Sequence, residues 1–254
     1  ILLIVLSIFL LAIISFFTGY GIYAYQLIKS VPTELTEEVA KQNQSLIKEL
    51  YKEPLIQNLP YAITANEINL HAKSGILIDA ATGWILYEKN ADEVIPPASM
   101  TKVVLMYLAL DALEKGQIKL TDKIDLPPES WAINAPPHSS LMFLGKDQNV
   151  TFEELLIGMN VVSGNDAAVA VAMTLFGTME NCIAQMNKVV QDLGLTKTRF
   201  VESSGYSENN LTTAREFAIF SRSYVTRFPE SLQKYHSIKS FTYPKKHNLA
   251  PYID

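Results

Sequence analysis

The first thirty residues, ILLIVLSIFLLAIISFFTGYGIYAYQLIKS, are apolar almost throughout, with no charge before Lys29. About 20 such residues suffice to cross a bilayer, and Tyr20, Tyr23 and Tyr25 stand where aromatic side chains favour the interface. The run exceeds a usual signal-peptide core and no A-x-A-like site follows it, so residues 1–28 read as a retained transmembrane anchor in preference to a cleaved signal segment. Residues 29–66 switch to a charged, helix-period pattern (TEEVAKQNQSLIKELY) broken by Pro32, Pro54 and Pro60, which suits a stalk or linker, or a solvated amphipathic helix. From residue 67 to residue 254 the pattern is that of a folded domain. Ile76–Ile78 and Trp84–Tyr87 predict two short strands about a turn at Ala80–Gly83. Residues 100–115 then predict a helix whose block VVLMYLALDAL is apolar nearly all round, closed by Gly116, as in a helix buried mid-domain. Thr151 and Glu154 form a capping box ahead of a short helix. Further helices are predicted from Asp166, over residues 179–193, and after the Thr213–Glu216 cap. Strands at one end followed by many helices give an α/β or α+β domain.

Composition narrows the function classes. The chain has 254 residues, 48% of them hydrophobic, enough for a sizeable core and too many for disorder. Net charge is −5 with lysines and arginines scattered, so no basic stripe marks a nucleic-acid partner. The single cysteine, Cys182, rules out a disulfide framework and a cysteine-cluster metal site, and it reads as a small buried apolar residue. His71, His138, His236 and His247 form no H-E-x-x-H or other paired motif, and there is no G-x-S-x-G. Zinc proteolysis and a Ser-His-Asp hydrolase therefore lack support, and no cofactor is implied. The sequons at Asn43, Asn149 and Asn210 are expected by chance.

One short stretch does raise a chemical question. PPASMTKVVL places Ser99 and Lys102 three apart at the start of the apolar helix, where residues at that spacing share a face about 5–6 Å apart. A serine hydroxyl is a poor nucleophile until a base takes its proton, and a lysine in an apolar setting has its pKa lowered toward that task. A helix N-terminus adds N–H groups where negative charge develops on an attacked carbonyl. The plain alternative is an N-cap serine beside a snorkelling lysine. VVSGNDAAVA adds Ser163 and Asn165 between two helices: a second hydroxyl able to relay a proton, and an amide able to hold a carbonyl and orient the lysine. Here the plain alternative is a turn capped by Asn165 or Asp166.

S-x-x-K followed by S-x-N is the motif order of penicillin-recognising serine enzymes. Beyond the motifs, GILIDAATGWILYEKNADEVIPPASMTK, SSLMFLGKDQNVTFEELLIGMNVVSGNDAAVAVA and LGLTKTRFVESSGYSENNLTTAREFA resemble the low-molecular-weight D-alanyl-D-alanine carboxypeptidases over most of residues 74–243. The resemblance implies a DD-peptidase/β-lactamase-like α/β domain, an antiparallel sheet flanked by helices plus a helical subdomain. It implies Ser99 as acyl-enzyme nucleophile, Lys102 as its general base, and Ser163 and Asn165 as the second motif. The Ser99 N–H would serve as one oxyanion donor. The implied reaction removes the terminal D-alanine from peptidoglycan stem pentapeptides through an acyl-serine that water hydrolyses, and β-lactam antibiotics acylate the same serine. With the anchor, the expected setting is the cytoplasmic membrane, the catalytic domain on its outer side.

Two departures from the family pattern stand out. No K-T-G or H-T-G triplet occurs in the chain, so it is expected to be a fragment that stops before the third motif, leaves a sheet edge unpaired and does not turn over substrate alone. Its anchor also lies at the N-terminal end, whereas the family often carries a C-terminal amphipathic one. Two alternatives remain: a class A β-lactamase, for which no E-x-x-L-N-like stretch follows the second motif, and a non-catalytic, membrane-tethered peptidoglycan-binding protein.

Overall fold

The structure, a computed structural model, describes residues 56–60, 68 and 70–250. The predicted anchor and nearly all of the predicted stalk lie outside the described residues. Among these, no single helix is long and apolar enough to cross a membrane.

The hairpin predicted around Ala80–Gly83 is present as β2 (Gly75–Ile78) and β3 (Trp84–Lys89), paired antiparallel with Leu77 opposite Tyr87. Its turn closes because the Asp79 carboxylate accepts from both the backbone N–H and the hydroxyl of Thr82, each at 2.6 Å. A bulge between Leu77 and Ile78 then brings Ile78 opposite Ile85. β1 (Gln57–Asn58) runs parallel to β3 on the other side, so the order is β1-β3-β2. Two further ladders of two residues each fasten loops: β4 (Val94–Ile95) to β7 (Thr212–Thr213), and β5 (Lys123–Ile124) to β6 (Val150–Thr151).

The helices follow their sequence signals closely. A 3-10 turn at Ala98–Met100 leads into α1 (Thr101–Glu114). α2 (Phe152–Val161) starts on the expected capping box: the Glu154 N–H donates to Thr151 Oγ1 at 3.2 Å, and the Thr151 N–H donates to Glu154 Oε2 at 3.0 Å. α3 (Asn165–Phe176) begins one residue before the expected Asp166, and α4 (Met179–Asp192) comes next. α5 (Ala214–Arg227) is capped by Thr213 Oγ1, which accepts from the Glu216 N–H at 3.0 Å. Arg222 on α5 donates to the carbonyls of Ala80 and Ala81, at 3.0 Å each, and so holds the hairpin turn against that helix.

The core lies where α1, α2 and α3 meet. Leu105 and Met106 from α1, Phe152, Leu155 and Leu156 from α2, and Val171 from α3 are fully buried. Each such side chain contributes about 1.5–3 kcal/mol relative to an exposed one. Ala167, Ala168, Ala170 and Ala172 keep α3 slim, so that its neighbours approach closely. α1 is buried on so much of its circumference, Lys102 included, because α2, α3 and α4 all pack around it. Cys182 is fully buried too, as its sequence context predicted, and burial pushes its thiol up to about 12.

Candidate active site

The turn before α1 sets the geometry. Ala98 has φ of +49°, a left-handed conformation costly for a residue with a Cβ, and it swings the chain sharply into the 3-10 turn that carries Ser99. Ser99 is exposed at the surface while Lys102, one turn on, is only 5% exposed beneath it. Lys102 Nζ lies 3.2 Å from Ser99 Oγ, 2.8 Å from Asn165 Oδ1 and 2.5 Å from the Ser204 carbonyl oxygen.

These three neighbours define what the lysine can do. The Asn165 and Ser204 oxygens only accept, so each takes one N–H; the third position of the nitrogen faces a hydroxyl that can accept or donate. As an ammonium, Lys102 donates to Ser99. As a neutral amine, it turns its lone pair on the Ser99 proton without moving. Burial pushes the Lys102 pKa down from 10.5 to about 8, opposed by the Glu202 and Asp166 carboxylates. Roughly a tenth of the side chain is then neutral at pH 7. The snorkelling alternative does not describe this lysine: its nitrogen is held inward by protein acceptors.

Of the four residues singled out by sequence, Ser99, Lys102 and Asn165 share one hydrogen-bonded cluster. Ser163 is next to it in the chain but not in that network. It sits at φ of +56°, and its buried Oγ has no hydrogen-bond partner among the described residues. Such an orphan hydroxyl costs about 1–3 kcal/mol and leaves an uncommitted donor and acceptor beside Asn165.

Neither Asn165 nor Asp166 acts as the helix cap. The N-cap of α3 is Gly164, with no side-chain cap bond. The Asp166 carboxylate instead accepts from the N–H groups of Met142 and Ala167, both at 2.9 Å, and of Leu144 at 3.0 Å. With the Asn165 N–H donating to the Ser140 carbonyl at 2.8 Å, this moors the segment 140–144 along the start of α3. Phe143, between the two tethered amides, is thrown outward and is 66% exposed.

The other wall was not assigned from sequence. Segment 202–210 delivers the Ser204 carbonyl to Lys102 and places Gly205, at φ of +84°, against the turn that carries Ser99. A Cβ on Gly205 would lie 1.8 Å from the Ala98 carbonyl oxygen and 2.9 Å from the Ser99 nitrogen, so only glycine fits. Asn210, fully buried, donates to Thr101 Oγ1 at 3.2 Å and accepts from the Val201 N–H at 2.7 Å, which ties this segment to the first residue of α1. That burial also removes Asn210 from consideration as a glycosylation acceptor. The available sequence signal was the glycine in SSGYSENN, read only as part of a family stretch.

Ser99, Lys102 and Asn165, brought together here, all lie within residues 61–250, which match the pattern of the D-alanyl-D-alanine carboxypeptidase family. The chain belongs to the D-alanyl-D-alanine carboxypeptidase family. It is 37% identical over 178 residues to D-alanyl-D-alanine carboxypeptidase DacF of Bacillus subtilis, a match covering 70% of this chain and 43% of that protein. It is 36% identical over 185 residues to DacC of Escherichia coli, covering 72% and 46%. Penicillin binding protein 5 from Haemophilus influenzae superposes with a TM-score of 0.67 at 37% identity, covering 72% of this chain and 52% of that one. Penicillin-binding protein D2 from Listeria monocytogenes, solved in its ampicillin-bound form, gives 0.59 at 26% identity, covering 66% and 68%. The mixed α/β fold expected from the sequence is therefore that of the penicillin-binding D-alanyl-D-alanine carboxypeptidases. The chain spans about half the length of the curated carboxypeptidases it matches.

Proposed function

We propose that this chain supplies the nucleophile and general base of a serine-type D-Ala-D-Ala carboxypeptidase acting on peptidoglycan stem pentapeptides. The observation that carries the reading is Lys102 Nζ, buried, facing Ser99 Oγ at 3.2 Å and held there by two acceptors that tolerate either protonation state. Neutral Lys102 takes the Ser99 proton as Oγ attacks the carbonyl carbon of the terminal D-Ala-D-Ala bond. The resulting ammonium returns that proton to the leaving D-alanine amine, and an acyl-serine ester remains. Water, deprotonated by the same lysine, then releases the shortened peptide. Ser163 Oγ, buried and uncommitted, serves as a relay next to this proton path, and Asn165 keeps the lysine aimed while its amide N–H groups face substrate. β-Lactams enter by the same attack on their ring amide, a role supported by the ampicillin-bound relative.

The same reading places the catalytic domain outside the cytoplasmic membrane, where peptidoglycan lies, tethered by residues 1–28 through the stalk 29–66; its support is the uncharged apolar run of the first 28 residues. The test is fluorescent-penicillin labelling of the full-length protein beside Ser99→Ala and Lys102→Ala. Ser99→Ala is expected to lose all label, and Lys102→Ala to acylate roughly 10³-fold more slowly, both remaining folded. Persistent label on Ser99→Ala would remove the nucleophile assignment. Cell fractionation tests the location: recovery in the soluble fraction would remove the anchor.

A further inference from the structure

We propose that Glu202 is a positioning residue for the Ser99–Lys102 pair, its carboxylate holding in place the segment that delivers the Ser204 carbonyl to Lys102. The inference rests on the function proposed above and extends it to a residue outside both motifs.

The geometry begins with the hydrogen bonds of this carboxylate. Glu202 Oε2 accepts from the Ser204 N–H at 2.7 Å and the Ser204 hydroxyl at 2.6 Å. Oε1 accepts from the Gly205 N–H at 2.7 Å, from Asn210 Nδ2 at 2.6 Å and, more weakly, from the Ser207 N–H at 3.4 Å. The two residues it grips in sequence, Ser204 and Gly205, are the two that touch the catalytic turn: one through its carbonyl on Lys102, the other through its backbone against Ala98 and Ser99. Peptide planes connect them, so displacing the carboxylate would rotate the Ser204 carbonyl away from the lysine.

Both oxygens of Glu202 act only as acceptors, so the ionised carboxylate matches this position and an amide or a protonated acid would leave a donor facing a donor. Every partner of Glu202 is a neutral N–H or O–H, and among the described residues it makes no ion pair. Those donors satisfy the half-buried carboxylate but leave its negative charge unneutralised, free to act on a positive charge nearby. Lys102 is that charge: Glu202 is the carboxylate that most favours its ammonium form, ahead of Asp166 on α3. Asp166 and Glu202 are the two carboxylates facing Lys102, one from each element packed against it, and the oxygens of Asp166 are already committed to the 142–144 and 167 amides. In acylation Lys102 gains a proton, so a carboxylate behind it strengthens the base and stabilises the ammonium formed as Oγ attacks.

A purely structural glutamate and a tuning glutamate give different pH profiles. In the full-length protein, the acylation rate of Ser99 by a fluorescent penicillin would be measured against pH for wild type, Glu202→Gln and Glu202→Asp, with thermal melting to establish folding. The rate should rise with pH as Lys102 loses its proton. Removing the charge lowers the lysine's proton affinity, so the midpoint of Glu202→Gln is expected about half a pH unit or more below wild type, with its plateau roughly tenfold down because the base is weaker. Glu202→Asp keeps the charge one methylene farther away, and its midpoint should fall between the two. Either folded variant suffices: a lowered midpoint supports the inference, and a midpoint equal to wild type overturns it whatever the plateau. A wild type that takes no label would remove the proposed function and this inference together, whereas labelled wild type with unmoved midpoints removes only the latter.

Discussion

Helix α1 meets a cation at each end, and the two are handled in opposite ways. Near its start, Lys102 is buried among a hydroxyl, an amide oxygen and a peptide carbonyl, with carboxylates nearby but none in contact, and its pKa falls to about 8. Near its end, Arg227 of α5 contacts Asp111 and Glu114 directly, donates to Tyr107 Oη at 2.6 Å and lies over the Tyr107 and Phe228 rings. Burial works against that charge as well, but the hydrogen bonds Arg227 donates to Glu114, Tyr107 and Asp111 outweigh it and the Arg227 pKa rises. Neutral acceptors orient a cation without neutralising its desolvation cost; carboxylates in contact do neutralise it. The first arrangement yields a base that can lose its proton near neutral pH, the second a permanent clamp between α1 and α5.

Three perturbations sharpen the contrast. The largest effect is expected at Gly205, which borders the Lys102 end. Gly205→Ala forces a Cβ into the Ala98 carbonyl at a positive φ, and should cost on the order of 4 kcal/mol in denaturant unfolding and abolish penicillin labelling. Full stability with full labelling would mean that the turn and the 202–210 segment do not meet as described.

A middle-sized effect follows from the depressed lysine. Because its folded pKa lies below its unfolded value, the unfolded chain holds the proton more tightly, and between pH 8 and 10.5 this group makes stability rise with pH. Below pH 8 both states are protonated and the penalty is present in full. Unfolding curves of wild type and Lys102→Met, subtracted across that window, should differ by roughly 3 kcal/mol from its lower to its upper limit. Parallel curves would show that burial does not depress the lysine.

Least is expected at the far end. Arg227→Met removes ion pairs whose arginine side chain is 32% exposed, so the loss should be about 1 kcal/mol, and smaller still in high salt, with labelling unchanged. A loss of labelling here would couple the two ends of α1 and erase the distinction between them.

What could be read in advance was local. The expected hydroxyl caps at Thr151 and Thr213 act within three residues of themselves, and the turn expected at Ala80–Gly83 closes as locally, so sequence spacing alone places them. The buried helix announced itself through a run that is apolar nearly all round. Small ladders such as β4 with β7 gave no signal, since two-residue strands have no periodicity and pair across more than a hundred residues. An aspartate at a helix start usually caps it, which makes Asp166 a natural cap candidate in sequence; its actual partners lie in the distant 140–144 segment.

The sequence by itself determined that Ser99 and Lys102 would share a helical face, that an S-x-N amide existed to meet them, and that the enclosing domain was mixed α/β. Helix geometry and local capping need only neighbours along the chain. Tertiary structure alone decided that burial lowers the proton affinity of Lys102, that Asn165 reaches it from 63 residues away and the Ser204 carbonyl from 102, and that Ser163 stands aside with a hydroxyl unpaired among the described residues. Desolvation and hydrogen-bond partners are properties of what packs against a group, and for this lysine everything that packs against its nitrogen except Ser99 comes from elsewhere in the chain.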